Sequence, residues 1–326
     1  KKWLQKEGYA QITEKHDRSA HILTGINRAG KTLTVGLEAL GSSTAFTALE
    51  SQTAHIGMSS RAITSGEVDA LKKFGRCDTA ACEYVIALDG IAVIVNPKNP
   101  LQSLDKASLR RIFSGEVKNW SQVGGKDAPI HVYALDGNSG TYDTFKSLVL
   151  GKSALVAGAK RHASHPAIAE MVAKDPAGIG FVGLPFVNDS KALAIADGEA
   201  RAIVPESFTV ATEDYVLARR LFFYLPEVTA SPLARQFVEF AVSDAGQDVA
   251  EEVGFISQAL IASEISVGSD APEEYRTLIR GAQRLSLNFR FLPGTPTLDN
   301  KAQRDVRRLK AYMARPQNKG KELMLY

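Results

Sequence analysis

Residues 129–150 read PIHVYALDGNSGTYDTFKSLVL, and this stretch decides the fold. PIHVYAL is a short apolar run of strand character. A small polar turn follows, Asp136-Gly137-Asn138-Ser139-Gly140-Thr141. TYDTFKSLVL then places Phe145, Leu148 and Val149 on one helical face. A strand that hands over to a helix through such a turn is the building unit of an α/β domain. The handover recurs upstream. Thr32–Leu37 (TLTVGL) is a strand, Gly41-Ser42-Ser43-Thr44 a turn, and AFTALES a helix with Phe46 and Leu49 at helical spacing. His55–Met58 is a strand that stops at Ser59-Ser60-Arg61, before a helix over Thr64–Phe74 whose Ser65 and Glu67 suit a first turn.

Working outward, residues 1–15 carry Trp3, Leu4 and Tyr9 as the apolar positions of a helix. Tyr84–Val95 is a near-continuous apolar strand broken only by Asp89-Gly90 and ended by Asn96-Pro97. SLDKASLRRIF (103–113) predicts a helix, Gly178–Val182 a turn into a short strand, Tyr215–Leu225 a strand and Pro232–Ser243 a helix. Strands alternating with helices imply parallel sheets and an α/β architecture. Ser263–Glu274, with Gly268, Ser269 and Pro272, has the composition of a linker. Beyond it, LSLNFRF (285–291), a helix from Asp299 to about Arg315 and ELMLY (322–326) predict one more β-α-β unit, cut short as its second strand forms. Its helix sets Ala302, Val306, Leu309 and Met313 on one stripe.

The three loops share a chemistry. A helix N-terminus leaves backbone N–H groups unpaired and carries the positive end of the helix dipole. Serine and threonine add hydroxyl donors, glycine lets the backbone come close, and together they make an anion site. The candidate contacts are Ser42, Ser43 and Thr44; Ser59, Ser60 and Arg61; and Asp136, Asn138, Ser139, Gly140 and Thr141. Arg61 offers a forked cation that can grip two oxygens. Asp136 could accept a hydrogen bond from a protonated oxyanion, which would separate hydrogen phosphate from sulfate. Plain N-capping is the alternative for each loop, and an aspartate closing its own turn the alternative for Asp136. Three such loops at the carboxyl ends of strands, where α/β ligands bind, favour a site.

Composition narrows the classes. The chain has 326 residues, 44% hydrophobic and 23% charged, enough for two domains with buried cores. No run approaches the length of a membrane span. Residues 284–326 carry a net +7 while the whole chain is +3, so the remainder is −4 and the basic character belongs to the tail. A solvated helix face accounts for it better than a nucleic-acid partner. Any anion is therefore held by local geometry and not by bulk charge. Cys77 and Cys82 have no histidine nearby, which argues against zinc; they are a loop disulfide in an oxidising compartment or two free thiols in a reducing one. No GxSxG elbow occurs, and no base stands at a fixed offset to activate a hydroxyl. His162 and His165 belong to a surface turn, and Glu213-Asp214 beside Arg219-Arg220 to a structural ion-pair cluster. An enzyme, a resident metal and a cofactor are not expected.

The blocks GSSTAF (41–46), IGMSSR (56–61), IALDGIAVIVNPKNP (86–100), IFSGEVKNW (112–120), DGNSGTYDTF (136–145), IGFVGLPFV (179–187), TEDYVLARRLFFY (212–224), SDAGQ (243–247) and GFI (254–256) resemble, in order, the periplasmic phosphate-binding proteins of ABC-type uptake. The resemblance implies a type II periplasmic-binding-protein fold. Two α/β lobes, 1–94 with 213–262 and 95–212, would close by a hinge over the ligand. The crossing strands would lie near Ile86–Asn96 and Thr212–Tyr224. It implies anion contacts at Ser42–Thr44, Ser59–Arg61 and Ser139–Thr141, a periplasmic location in a Gram-negative envelope, an ABC permease as partner, and the disulfide form of Cys77 and Cys82.

The chain departs from the family in three places. It begins after a first Gly-Ser/Thr loop that also touches the anion. Tyr133-Ala134-Leu135 stands where many members have an arginine, and Ser60 where classical members have an acid. Sulfate or molybdate is the alternative ligand, and a non-transport envelope scaffold or adhesion protein the alternative role. Residues 284–326 resemble the opening β-α-β of an OmpA-like domain, joined through a linker at 263–283. That family's wall-binding Asp and Arg motif would lie past Tyr326, so a peptidoglycan partner is expected only of a complete domain.

Overall fold

The computed structural model describes every residue except Arg18, Ser19, Asn138, Ser266, Gly268, Ser269, Asp270 and Tyr326. Asn138 of the third loop, and Gly268 and Ser269 of the expected linker, thus lie outside the described residues. The chain divides into two units, Lys1–Ile86 with Leu221–Val249, and Ala87–Arg220 with Ala250–Tyr326.

The first unit opens on helix α1 (Lys2–Lys6), which buries Trp3 and Leu4. The helix predicted to residue 15 ends here, because Gly8 takes a left-handed φ of 80° that stops it. An antiparallel meander follows: β1 (Tyr9–Asp17), β2 (Ala20–Asn27) and β3 (Thr32–Glu38). From Tyr9 onward the strand pairs with β2, apart from a bulge between Ala10 and Thr13, a longer-range preference that the pattern of one segment does not carry. Then come α2 (Ser42–Glu50), β4 (Gly57–Ser59), α3 (Ser65–Leu71) and β5 (Glu83–Val95). Phe46, Leu49, Leu71, Phe74, Val85, Phe222 and Tyr224 pack into one core with Cys77 and Cys82. The two cysteines are joined by a disulfide, with Cα atoms 4.8 Å apart.

β5 passes from the first unit into the second at Ile86. There follow β6 (Ser103–Asp105), α4 (Lys106–Ser114), β7 (His131–Leu135), α5 (Gly140–Phe145), β8 (Lys160–His162), α6 (His165–Lys174), β9 (Gly178–Gly183), β10 (Lys191–Ala192), β11 (Ala194–Ala196), α7 (Ser207–Ala211) and β12 (Ala218–Tyr224), which returns the chain to the first unit. SLD at 103–105 is a strand and not the first turn of the predicted helix, since Asp105 is the N-cap of α4 and accepts from Ser108 N–H. α5 runs on through a π-turn to Leu150.

Strand pairing is mixed and not wholly parallel. β7 runs parallel to β8 and β9, and β6 to β11, but β5 pairs antiparallel with β9, and β12 with β4. Helical crossovers fix the parallel sense only for strands they connect; β5 and β9 are far apart in the chain and are free to run opposite ways. In the second unit Phe145 stacks on Phe181 at 4.0 Å, and Phe113 meets both edge-on. At Gly90 a side chain would meet Val210 Cγ2 at 2.6 Å, so only glycine fits there.

After β12 come α8 (Pro232–Val242), α9 (Asp244–Glu252), β13 (Ala262–Glu264), α10 (Glu273–Leu278), β14 (Gln283–Leu285) and α11 (Asn300–Met313). Of the β-α-β unit predicted at the tail only the helix forms. LSLNFRF leaves the strand after Leu285 because its polar side chains bind elsewhere: Ser286 Oγ accepts from Ile261 N–H, and Asn288 donates to Thr212 O and Asp214. Residues 321–325 form no strand. On α11, Ala302 and Leu309 are buried as the stripe predicts, but Val306 is exposed. Lys301 and Asp305 take the buried face instead, in an ion-pair cluster with Arg308. Among the described residues no helix is long and apolar enough to cross a membrane.

Candidate functional site

In the first unit the fold brings two of the three loops together. α2 begins at Ser42 behind Gly41, whose φ of 102° turns the chain sharply out of β3. Ser42 Oγ lies 3.2 Å from Ser60 Oγ and accepts the Ser60 N–H at 3.0 Å. Ser59 Oγ donates to Arg61 O and accepts from Arg61 N–H, folding 59–61 back on itself. Thr44 Oγ1 donates to Gly41 O and so acts within its own turn. Tyr224, reaching over from β12, accepts the Ile63 N–H and donates to Glu83, and this anchors the end of the Arg61 loop. Burial and the Glu83 charge beside it raise the Tyr224 hydroxyl well above the ordinary tyrosine range, so it stays a donor.

Arg61 is gripped on one side. Its Nη1 and Nη2 meet the two oxygens of Glu67 at 2.8 and 2.7 Å, Nη1 also donates to Ala62 O, and Nη2 donates to Ser43 Oγ at 3.2 Å. The guanidinium lies over the Phe46 ring. Glu67 also accepts from Thr64 N–H and Oγ1–H, which completes a capping box at the start of α3. The Arg61 hydrogen bond, together with the Thr64 donors, outweighs burial and holds the Glu67 carboxyl down at about 2. The pair is therefore charged and self-neutralised at neutral pH. The sequence marks Glu67 as a capping residue; its second role as partner of Arg61 depends on the turn at 61–64 and has no local signal.

The third loop stands in the second unit. Ser139 caps α5 and accepts from Tyr142 N–H, and its own N–H donates to Asp136 O. The Asp136 N–H donates to His162 O on β8. Thr141 is buried and Gly140 is exposed. Two arginines that the sequence does not assign to this loop approach it. Arg219 donates to Gly140 O at 2.9 Å and to Thr144 Oγ1, while Nε and Nη2 bind Asp89 Oδ2 at 3.0 and 2.8 Å. Arg161, exposed on β8, lies over the Tyr142 ring and donates to its hydroxyl at 3.0 Å. Its Nη1 comes within 3.6 Å of where a side chain on Gly137 would begin. Arg161 is brought here by register, since it pairs with Ala134 on β7, and no local signal in the sequence marks that pairing.

The cluster expected from Glu213, Asp214, Arg219 and Arg220 splits. Arg220 pairs with Glu213 and Asp299, whereas Arg219, on the opposite side of the strand, turns to Asp89. An open depression of about 600 Å³ lies beside Arg220, lined by Glu213, Tyr215, Arg290, Phe291 and Asp299 among others, and shares no residue with the three loops.

Residues 22–245 match a PBP superfamily domain. The chain belongs to that superfamily. Protein SphX of Synechococcus elongatus is 33% identical over 213 residues, which is 62% of this chain and 62% of SphX. The phosphate-binding protein PstS of Borreliella burgdorferi is 28% identical over 242 residues, covering 71% of this chain and 82% of that one. The crystal structure of an ABC-type phosphate transport receptor from Vibrio cholerae superposes with a TM-score of 0.58 at 27% identity, over 67% of this chain and 86% of that receptor. The chain thus spans under two thirds of SphX. Of these relatives, PstS is a binding protein and the Vibrio cholerae protein a receptor by name, and the mixed α/β architecture matches that of the receptor.

Proposed function

We propose that the protein captures a small oxyanion, phosphate first, with the hydroxyl and amide donors of Ser42, Ser43, Thr44, Ser59, Ser60, Ser139, Gly140 and Thr141, the guanidinium of Arg61, and Asp136 as an acceptor. The observation that carries this is the joining of Ser42, Ser43, Ser60 and Arg61 into one cluster of converging donors. The named relatives support the choice of phosphate. Because Glu67 neutralises Arg61, the site holds a hydrogen-bearing anion better than a fully ionised one. Phosphate, which keeps a proton at neutral pH, fits that balance and the Asp136 acceptor; sulfate has no proton to give. Arg161 is our candidate for the cation that the family usually places before this loop. Asn138 remains part of the proposed site on sequence grounds alone.

On this reading the chain is a non-catalytic receptor of the periplasm, with the lobes 1–94 plus 213–262 and 95–212, and it serves an ABC permease. The Cys77–Cys82 disulfide supports an oxidising compartment. The basic tail is read as the start of an OmpA-like domain, on its sequence likeness and its helix α11, with peptidoglycan as the partner of the full domain. Isothermal titration with phosphate, sulfate and molybdate at two pH values tests the ligand. Phosphate is expected to give heat and sulfate none, with Arg61→Ala or Ser139→Ala weakening phosphate by about 1–3 kcal/mol, as for bonds to a charged group. Absence of heat with all three anions would overturn the receptor reading.

A further inference from the structure

Outside the loops, one cluster of side chains has a composition that the proposed function does not use. On the β1–β2 hairpin His16 and His21 are direct cross-strand partners, and Glu14 stands two residues before His16, on the same face. The imidazoles meet edge to face with centroids 4.3 Å apart, and His16 Nε2 is 3.5 Å from Glu14 Oε1. One ligand atom from each of the three residues lies within 4.8 Å of the others, and all three side chains are exposed.

We propose that Glu14, His16 and His21 form a binding site for a first-row transition-metal ion of the Zn²⁺, Cu²⁺ or Ni²⁺ class. Ligand atoms around a zinc at about 2.0–2.1 Å stand about 3.3 Å from one another, so rotation of exposed side chains is enough to close the set. Two imidazoles and one carboxylate select borderline ions over Ca²⁺ and Mg²⁺, which prefer oxygen, and three protein ligands leave positions for water.

Two further observations set these residues apart. The other oxygen of Glu14 already holds a cation, Lys1 Nζ at 2.5 Å, so the position attracts positive charge. Three of the remaining four histidines have a ring nitrogen committed inside the second unit. His131 binds Asp175, His162 accepts from Ser164 N–H and His165 accepts from Gly183 N–H. His16 and His21 instead face each other across the ladder, the arrangement that lets a metal bridge two strands.

The test uses the chain prepared without a polyhistidine tag, with ZnCl₂ and CuCl₂ as the probes. Titration calorimetry is expected to give one equivalent of Zn²⁺, with Cu²⁺ tighter, following the usual order of divalent affinities. His16→Ala and His21→Ala should each weaken binding about tenfold or more, since even outer partners of metal ligands cost that much. Lys1→Ala should strengthen it by removing the competing cation. Electron paramagnetic resonance of the Cu²⁺ complex should show two coupled nitrogens. Circular dichroism of the exposed-site variants confirms that they fold. The proposal is overturned if the His16→Ala/His21→Ala double variant binds Zn²⁺ as the parent does, or if the copper spectrum shows a single nitrogen.

Discussion

Each unit sets an arginine–carboxylate pair beside a hydroxyl loop, and the two pairs differ in depth. Arg219 and Asp89 have side chains 11% and 7% exposed, and the guanidinium that binds the aspartate also binds Gly140 O at the start of α5. Arg61 and Glu67 are 38% and 20% exposed, and the arginine keeps one contact, to Ser43, that faces the donor cluster. The same chemistry therefore does two jobs. Deep in the second unit it fastens a loop to its sheet. Near the surface of the first it offsets the charge of an arginine beside the hydroxyl loops.

Removing one partner should expose this difference most sharply in the buried pair. Asp89→Ala leaves Arg219 uncompensated and should lower unfolding stability by about 3–5 kcal/mol in urea titration, with most of that recovered in Asp89→Leu/Arg219→Met. A loss no larger than that of an exposed pair would mean that Arg219 is not held as a buried ion. Tyr224→Phe tests how the first unit fixes its loop without a buried pair. Losing the hydroxyl that serves Ile63 N–H and Glu83 should cost about 1–2 kcal/mol and weaken phosphate titration in step.

The smallest effect belongs to Glu67→Gln, which should cost about 1 kcal/mol for a partly exposed pair while narrowing the preference for phosphate over sulfate. Its pH dependence follows from the carboxyl held at about 2 against an ordinary 4.5. The folded value is depressed, so the stabilisation is complete above the ordinary value and is lost as pH falls through about 2. The stability gap between parent and variant should be flat above about pH 5 and close toward about pH 2. A gap that instead changes between pH 6 and 8 would point to a different group.

How much of this was legible in the sequence depends on the range of each interaction. Glycine and hydroxyl turns act on their own helix starts, so Gly41–Thr44 and Ser139–Thr141 declared themselves locally. β5 could be read from its apolar run alone. What stayed hidden needed partners far along the chain. Asp89 meets Arg219 130 residues later, and Arg161 reaches the third loop only through the pairing of β8 with β7. The β1 strand was hidden by Trp3 and Leu4, whose helix ends sooner than their spacing suggests. At the tail, alternation in LSLNFRF mimicked a strand, yet its serine and asparagine side chains bond to other segments in place of a ladder.

On the proposed receptor reading, Glu67 has a further consequence for how ligand preference can change. One carboxylate closes the capping box of α3, fixes the Arg61 fork and offsets the charge of the proposed anion contact. Selection cannot retune ligand preference at this position without also altering the start of a helix and the order of a loop. Variation in specificity is then channelled to neighbours with a single duty, such as Ser43 and Ser60, and position 67 becomes a pleiotropic brake on divergence.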